Sequence, residues 1–199
     1  MKRIICHGDS LTEGADIETS KRWPSLLQSA LHIEVINSGI GGDSTAGMLS
    51  RFPSEVLKPK PDAVILMGGT NDFWWDLPIN IPIANLYTMA YQAQYYGILP
   101  LFGLPIPFLP SKAAEQADSP PETGFNKLFA QLKLFVTRLK TSAEQSDIPV
   151  LDFYHLFVNK DASIRSDSFL EDGVHPNHQG HQRMAELAIS KIKSLRIKS

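Results

Sequence analysis

Residues 61–72 have the sequence PDAVILMGGTND, and the five residues 63–67 at its centre give the strongest strand signal in the chain. This apolar run lies between Pro61-Asp62 and Gly68-Gly69. A short apolar run between turn residues is typical of a strand that is buried on both faces. Because such strands occur almost only in parallel sheets covered by helices, this stretch predicts an α/β fold.

Strand-like runs and helical patterns alternate along the rest of the chain. Further strands are predicted at residues 2–7, 34–37, 98–102 and 149–151. Helices are predicted at residues 22–31, 45–52, 83–96, 125–139 and 184–195. We therefore predict one domain over residues 1–199, a three-layer α/β/α sandwich with about five parallel strands. Pro100 is an unfavourable residue within its predicted strand.

The overall composition is that of an ordinary globular protein. The chain has 199 residues, 43% of them hydrophobic and 20% charged, with a formal net charge of −2. This charge gives no reason to expect nucleic acid or an anionic membrane as a partner. Cys6 is the single cysteine, which excludes an internal disulfide. No apolar stretch approaches the ~18 residues of a membrane span, so we expect no stable membrane insertion and a cytoplasmic location. Composition makes no prediction of the oligomeric state.

The segment of residues 105–123 is unusual because it holds five prolines and the polar run 111–119. Loops longer than about 12–15 residues are uncommon in compact domains and often form lids or binding segments. A surface insertion with a short helix around residues 113–116 is an equally good interpretation.

Polar residues follow several predicted strands at their carboxyl ends, where parallel sheets bind ligands. These clusters are residues 8–10, 39–44, 68–72 and 172–175. Gly-Asp-Ser occurs twice among them, so both Ser10 and Ser44 are candidate nucleophiles. Asp43 and Ser44 directly precede a predicted helix, and a helix N-cap accounts for Ser44 fully. We therefore favour Ser10.

A serine hydroxyl needs a base to take its proton and a third group to orient that base. Of the six histidines, His175 has Asp172 three residues before it. Gly173 permits a tight backbone and Pro176 disfavours a helix at His175, so this pair is predicted to lie on a loop.

Two neighbouring histidines, His178 and His181, raise the alternative of a metal site. We favour it less because Pro176 interrupts the spacing, no second ligand cluster is present, and both are expected at the exposed start of a helix.

Acyl transfer also requires hydrogen-bond donors for an oxyanion. Backbone amides near Gly41-Gly42 and the side chain of Asn71 are candidates. Taken alone, the glycines fit a tight turn and Asn71 fits a turn or helix cap. Their positions at neighbouring strand ends favour a shared site.

With these residues in place, the chain resembles the SGNH hydrolase family, also called GDSL esterases and lipases. All four family blocks occur in order, at residues 8–11, 37–44, 69–72 and 172–175. The resemblance implies a flavodoxin-like sandwich that needs neither a cofactor nor a metal.

The same resemblance implies a role for each matched residue. Ser10 would be the nucleophile, His175 the general base and Asp172 its orienting partner. The oxyanion hole would comprise the backbone N–H groups of Ser10 and Gly42 and the side chain of Asn71.

The expected ligand is a small-molecule ester. Asp9, Phe73, Trp74 and Trp75 adjoin the family blocks and are candidate substrate-binding residues, although a core or lid-anchoring role suits the aromatic ones equally. We expect short acyl esters, such as acetyl groups on carbohydrates, because no extended apolar groove is evident. Lysophospholipid or acyl-thioester hydrolysis is the alternative, and a non-catalytic flavodoxin-like binding module is the less favoured one.

Overall fold

The computed structural model describes residues 1–14 and 16–196, and five strands form one parallel sheet in the order β2-β1-β3-β4-β5. These strands are β1 (Arg3–Gly8), β2 (Glu34–Gly39), β3 (Ala63–Met67), β4 (Leu99–Gly103) and β5 (Val150–Leu151). The order is that of flavodoxin-like folds. The predicted α/β sandwich with a parallel sheet is confirmed.

Helices cover both faces of this sheet. They are α1 (Ser10–Glu13), α2 (Trp23–Leu31), α3 (Thr45–Phe52), α4 (Thr70–Trp74), α5 (Asn80–Tyr95), α6 (Pro110–Gln116), α7 (Phe125–Gln145), α8 (Phe153–Leu156) and α9 (His178–Arg196). Side chains of α2 and α9 pack in one apolar cluster, and those of α3, α5 and α7 in the other. None of the helices within the described residues is long and apolar enough to cross a membrane.

The central strands supply both clusters by alternation of their side chains. Ile4 and Cys6 pack towards α2 and α9, whereas Ile5 packs on the opposite face. All five residues of β3 are at most 1% exposed. Burial on both faces explains why the sequence of β3 is continuously apolar.

Pro100 fits within β4 because of where the neighbouring strand begins. The N–H of Phe102, two residues further on, donates to Pro149 O on the β5 side. Since alternate residues of a strand point their N–H groups to the same side, the Pro100 nitrogen also faces that side. There β5 pairs with β4 only at Phe102 and Gly103, so the proline removes no ladder hydrogen bond.

Three one-turn helices, α1, α4 and α8, were not predicted from the sequence. A single turn is too short to show apolar periodicity, so its signal lies only in its capping residues. Two of them directly follow strands β1 and β3, which adjoin each other at the centre of the sheet. The chain order reverses between these strands, and this is where flavodoxin-like folds bind ligands.

Candidate active site

Ser10, His175 and Asp172 form a continuous hydrogen-bonded chain at this end of the sheet. His175 Nε2 lies 2.9 Å from Ser10 Oγ, and His175 Nδ1 lies 2.6 Å from Asp172 Oδ2. Asp172 therefore accepts the Nδ1 proton, which leaves Nε2 free to accept the Ser10 proton. The serine and the histidine are 165 positions apart in the sequence, and the fold brings them together.

The predicted loop holds Asp172 and His175 in place through its backbone. Asp172 Oδ1 accepts hydrogen bonds from the N–H groups of Val174 and His175, at 2.8 and 3.0 Å. Gly173 has a φ of +67°, and a Cβ added there would lie 2.6 Å from Lys112 Cβ. Glycine is thus required both by the left-handed backbone and by the close approach of α6.

The Asp172–His175 pair shifts the pKa of both partners. Partial burial alone would raise the Asp172 pKa, but the hydrogen bonds from the His175 side chain and from the backbone lower it to about 2. Burial alone would lower the His175 pKa, but the hydrogen bond and charge of Asp172, with the charges of Asp9 and Asp16, raise it above 6.5. Asp172 is therefore ionised at neutral pH, as an orienting partner must be.

We expect ester hydrolysis to increase with pH through the pKa of His175. Only the neutral imidazole can accept the Ser10 proton, and the raised pKa places the inflection above 6.5. The measurement is kcat/KM for a p-nitrophenyl ester between pH 5 and 9. An inflection below pH 6, or a flat profile, would contradict His175 as the base.

Asp9 orients the first turn of α1, which Ser10 begins. The Asp9 carboxylate caps the helix by accepting from Leu11 N at 3.0 Å. Asp9 borders the pocket described below, yet only 1% of it is exposed, and burial raises its pKa to about 7. Its observed contact supports the nucleophile segment, and the predicted substrate-binding role of Asp9 stays a prediction.

Gly42 and Asn71 line the same pocket as Ser10, and their role in an oxyanion hole stays a prediction. Gly42 is exposed with a φ of +74°, and a Cβ there would meet nothing within 4 Å. Asn71 Nδ2 donates to Asp43 O at 2.9 Å, which fixes its amide, and the group carries a second N–H. Asp72, the residue after Asn71, joins α4 to the start of α3. Its carboxylate accepts hydrogen bonds from Thr45 N and Oγ1, at 2.9 and 2.5 Å.

Arg51, on α3, was not predicted to have a role in the site. It holds the loop that carries Gly41 and Gly42, called the glycine loop below, against the sheet. Its Nε donates to Asp43 Oδ2 at 2.8 Å, and its other nitrogens donate to the carbonyl oxygens of Gly8 and Ser38, both at 2.9 Å. Arg51 thus joins the ends of β1 and β2 to the residue after Gly42.

A pocket of about 530 Å³ opens from Ser10 and His175. Its wall is mainly apolar, with the side chains of Leu11, Trp74, Ile106, Phe108, Ala113 and Val174. The segment of residues 105–123 supplies part of this wall through α6. Prolines interrupt the apolar residues at positions 105–110 and a polar run follows them, so the sequence showed no apolar period here and no apolar groove was expected.

The three aromatic residues after Asn71 lie in different environments. Trp74 is half-buried in the pocket wall, where its Nε1 donates to Ser119 O at 3.2 Å. Trp75 lies at the pocket edge and is 73% exposed. Phe73 is fully buried against Phe135, with ring centroids 5.4 Å apart, and it does not line the pocket. The prediction of Phe73 as a substrate-binding residue is therefore wrong, because the turn of α4 directs it into the core.

The two histidines considered for a metal site have separate environments. His178 is exposed, as expected, but His181 is fully buried and accepts from Trp23 N at 3.2 Å. The expectation of an exposed His181 is wrong because α9 begins at His178, and this places His181 one turn inside the helix. Within residues 1–14 and 16–196, no group of three or more His, Cys, Asp or Glu side chains is arranged to hold a metal ion.

A Ser-His-Asp chain next to a glycine loop and an asparagine, at the switch point of a flavodoxin-like sheet, defines a serine-hydrolase type of site. A family model described as GDSL-like lipase/acylhydrolase matches residues 6–183. The chain belongs to this family, and it is a carboxylic ester hydrolase.

Individual relatives agree with this assignment. The chain is 26% identical to an arylesterase from Vibrio mimicus, covering 96% of this chain and 88% of the relative. It is 23% identical to the thioesterase 1/protease 1/lysophospholipase L1 of Escherichia coli K12, covering 96% and 84%. A solved lipolytic protein of the G-D-S-L family from Desulfitobacterium hafniense has a TM-score of 0.82 at 25% identity, covering 96% of this chain and 99% of that one.

Proposed function

We propose that the protein hydrolyses small, uncharged esters through an acyl-enzyme on Ser10. The observation that carries the proposal is the 2.9 Å contact between Ser10 Oγ and His175 Nε2, with Asp172 on the other side of the ring. His175 removes the Ser10 proton as Oγ attacks the carbonyl carbon. The protonated His175 then returns this proton to the departing alcohol.

The oxyanion of this step is held by three hydrogen-bond donors. The Ser10 and Gly42 amides and the Asn71 side chain provide them, and each such donor typically contributes ~10²–10³ in rate. Anchoring by Arg51 keeps the glycine loop in place before the substrate arrives, so little reorganisation accompanies the reaction.

The shape of the pocket supports a small substrate with one apolar part. Small-molecule sites span about 300–1,000 Å³, and a volume of about 530 Å³ lies in the lower half of that range. The small side chains of Ala113, in α6, and Ala117, directly after it, leave room in the pocket that Trp74 also lines. A short acyl chain or an aryl group fits against this wall, in agreement with the arylesterase among the relatives.

The charge of the pocket argues against anionic substrates. Glu13, Asp16 and Asp172 line it, and none of its described lining residues is a lysine or arginine. Like charges repel phosphate-bearing acyl carriers and lipids. The apolar wall is the observation that favours the alternative, a thioesterase or lysophospholipase, and the acidic lining is why we prefer neutral esters.

The test is a series of p-nitrophenyl esters from acetate to palmitate, with an acyl-coenzyme A thioester beside it. Each methylene buried against the wall adds about 0.8 kcal/mol, so kcat/KM increases about fourfold per methylene until the pocket is full. We expect the maximum at a short chain, and palmitate at least about tenfold below it. A maximum at palmitate, or preference for the thioester, would support the alternative and contradict our proposal.

A matched pair of variants in and directly after α6 tests whether the acyl chain binds along this wall. Ala117, directly after α6, lines the pocket, whereas Ala114 is exposed and does not line it. Ala117→Leu should shorten the preferred chain, and Ala114→Leu should keep the original preference. If both variants behave alike, the chain does not bind along this wall.

A further inference from the structure

A second, much smaller cavity adjoins the Ser10–His175 pair. Its volume is about 30 Å³. Besides the catalytic pair, it is bordered by two polar residues, Asp16 and His181, and by Gly14, Ile17, Leu170 and Pro176. The residues that it shares with the larger pocket are Ser10, Asp16 and His175. One water molecule needs roughly 10–15 Å³ of such space together with two to four polar partners. The cavity therefore has the size and the lining of a water site.

His181 supplies a hydrogen-bond donor to this cavity. The residue is fully buried, and its Nδ1 accepts from Trp23 N at 3.2 Å. Burial, together with the charges of Arg22, His178 and His175, lowers the pKa of His181 to about 4, so its ring is neutral at pH 7. A neutral ring whose Nδ1 accepts must carry its proton on Nε2.

The Nε2–H of His181 has no acceptor among the residues that the structure describes. A buried donor left without a partner costs about 1–3 kcal/mol, which a bound water would recover. Gly14 keeps the space beside this atom open, because a Cβ there would lie 3.2 Å from His181 Nε2. The donor therefore faces the cavity wall that Gly14 forms.

We propose that this cavity binds the water molecule that hydrolyses the acyl-enzyme, with His181 Nε2–H as its anchoring donor. The inference rests on the proposed function, since it requires an acyl group on Ser10. An acyl group that fills the larger pocket excludes water from that side. The small cavity keeps a position beside His175 that the acyl group does not occupy, and exposed Asp16 connects it to solvent.

In the reaction, the water oxygen forms a bond to the acyl carbon while His175 Nε2 takes one water proton. The tetrahedral intermediate then collapses, and the bond between the acyl carbon and Ser10 Oγ breaks. The electron pair of that bond goes to Oγ, which takes the proton back from His175. The carboxylic acid leaves, and Ser10 and His175 are restored.

The test separates acylation from deacylation with p-nitrophenyl acetate. The burst of p-nitrophenol measures acylation, and the loss of the acetyl group, followed by intact-protein mass, measures deacylation. In His181→Phe, which removes the donor, we expect deacylation to slow about tenfold or more while acylation stays within about twofold. His181→Gln, which keeps an acceptor for Trp23 N and a donor for the cavity, should restore most of the deacylation rate.

Two further variants test whether slower deacylation in His181→Phe comes from loss of the bound water or from a general disturbance of the structure. Leu170→Phe fills the cavity from its half-exposed wall and should slow deacylation with His181 intact. His178→Gln, at an exposed position one turn earlier in α9, should deacylate like the unmodified protein.

Three results would overturn the inference. They are unchanged deacylation in both His181→Phe and Leu170→Phe, an equal loss of acylation and deacylation, and a crystal structure without water at His181 Nε2. If the unmodified protein gives no burst and no acetylated Ser10, the proposed function itself fails, and the missing burst identifies that case.

Discussion

Ser10→Ala should lower kcat for a p-nitrophenyl ester by about 10⁵- to 10⁶-fold and leave the protein folded. The substitution removes the only atom that can form the acyl-enzyme bond. It removes no contact that supports the fold, because the Ser10 hydroxyl bonds to His175 Nε2 at the half-exposed mouth of the pocket. The measurement is steady-state turnover beside thermal unfolding, with a fluorophosphonate probe that should label the unmodified protein at Ser10.

Ser44, the serine of the second Gly-Asp-Ser, is the matched control for this variant. Its Oγ caps α3 by accepting from Gly47 N at 3.2 Å. Ser44→Ala should therefore destabilise the protein by about 1 kcal/mol and retain turnover. Activity that survives in Ser10→Ala, or probe labelling that persists there, would contradict the assignment of the nucleophile.

The sheet could be predicted because its strands are buried on both faces, and this burial is visible in the sequence. The 63–67 run is apolar at every position, and β3 occupies the same five residues. Helices with long apolar stripes were also found, although α9 begins six residues before its first predicted apolar position. Polar first turns carry no apolar period, so the burial of His181 was not predicted.

The catalytic residues could be predicted only in part from local patterns. Asp152 also stands three residues before a histidine, and its Oδ1 lies 2.8 Å from His155 Nδ1. That pair lies at the surface beside Lys140, and the His155 side chain is 60% exposed. Nothing in the spacing separates the two Asp-His pairs, and only the fold places one of them beside Ser10.

Contacts between distant segments were the part that the sequence did not reveal. Arg51 bonds to the ends of two strands and to the glycine loop, and no local pattern encodes three partners so far apart. The pocket wall likewise combines Trp74 of α4 with side chains from the segment of residues 105–123. Residues that line a cavity share no sequence period, because they come from different elements and face one space.

Asp172→Asn should lower kcat/KM by about 10⁴-fold without unfolding the protein. The Asn Oδ1 can still accept from Val174 N and His175 N, so the loop keeps its backbone hydrogen bonds. The amide nitrogen then takes the place of Asp172 Oδ2 and donates to His175 Nδ1. This moves the imidazole proton to Nε2, and the ring can no longer accept the proton of Ser10.

The pH profile of the remaining activity distinguishes this mechanism from a loss of structure. The Asp172 hydrogen bond and charge are what raise the His175 pKa against the opposing effect of burial. Without the carboxylate, burial dominates, and the inflection should move to lower pH. Asp152→Asn is the control, because it alters the other Asp-His pair, far along the chain from the nucleophile, and should keep both turnover and inflection. An inflection that stays in place in Asp172→Asn would show that Asp172 does not set the protonation of the base.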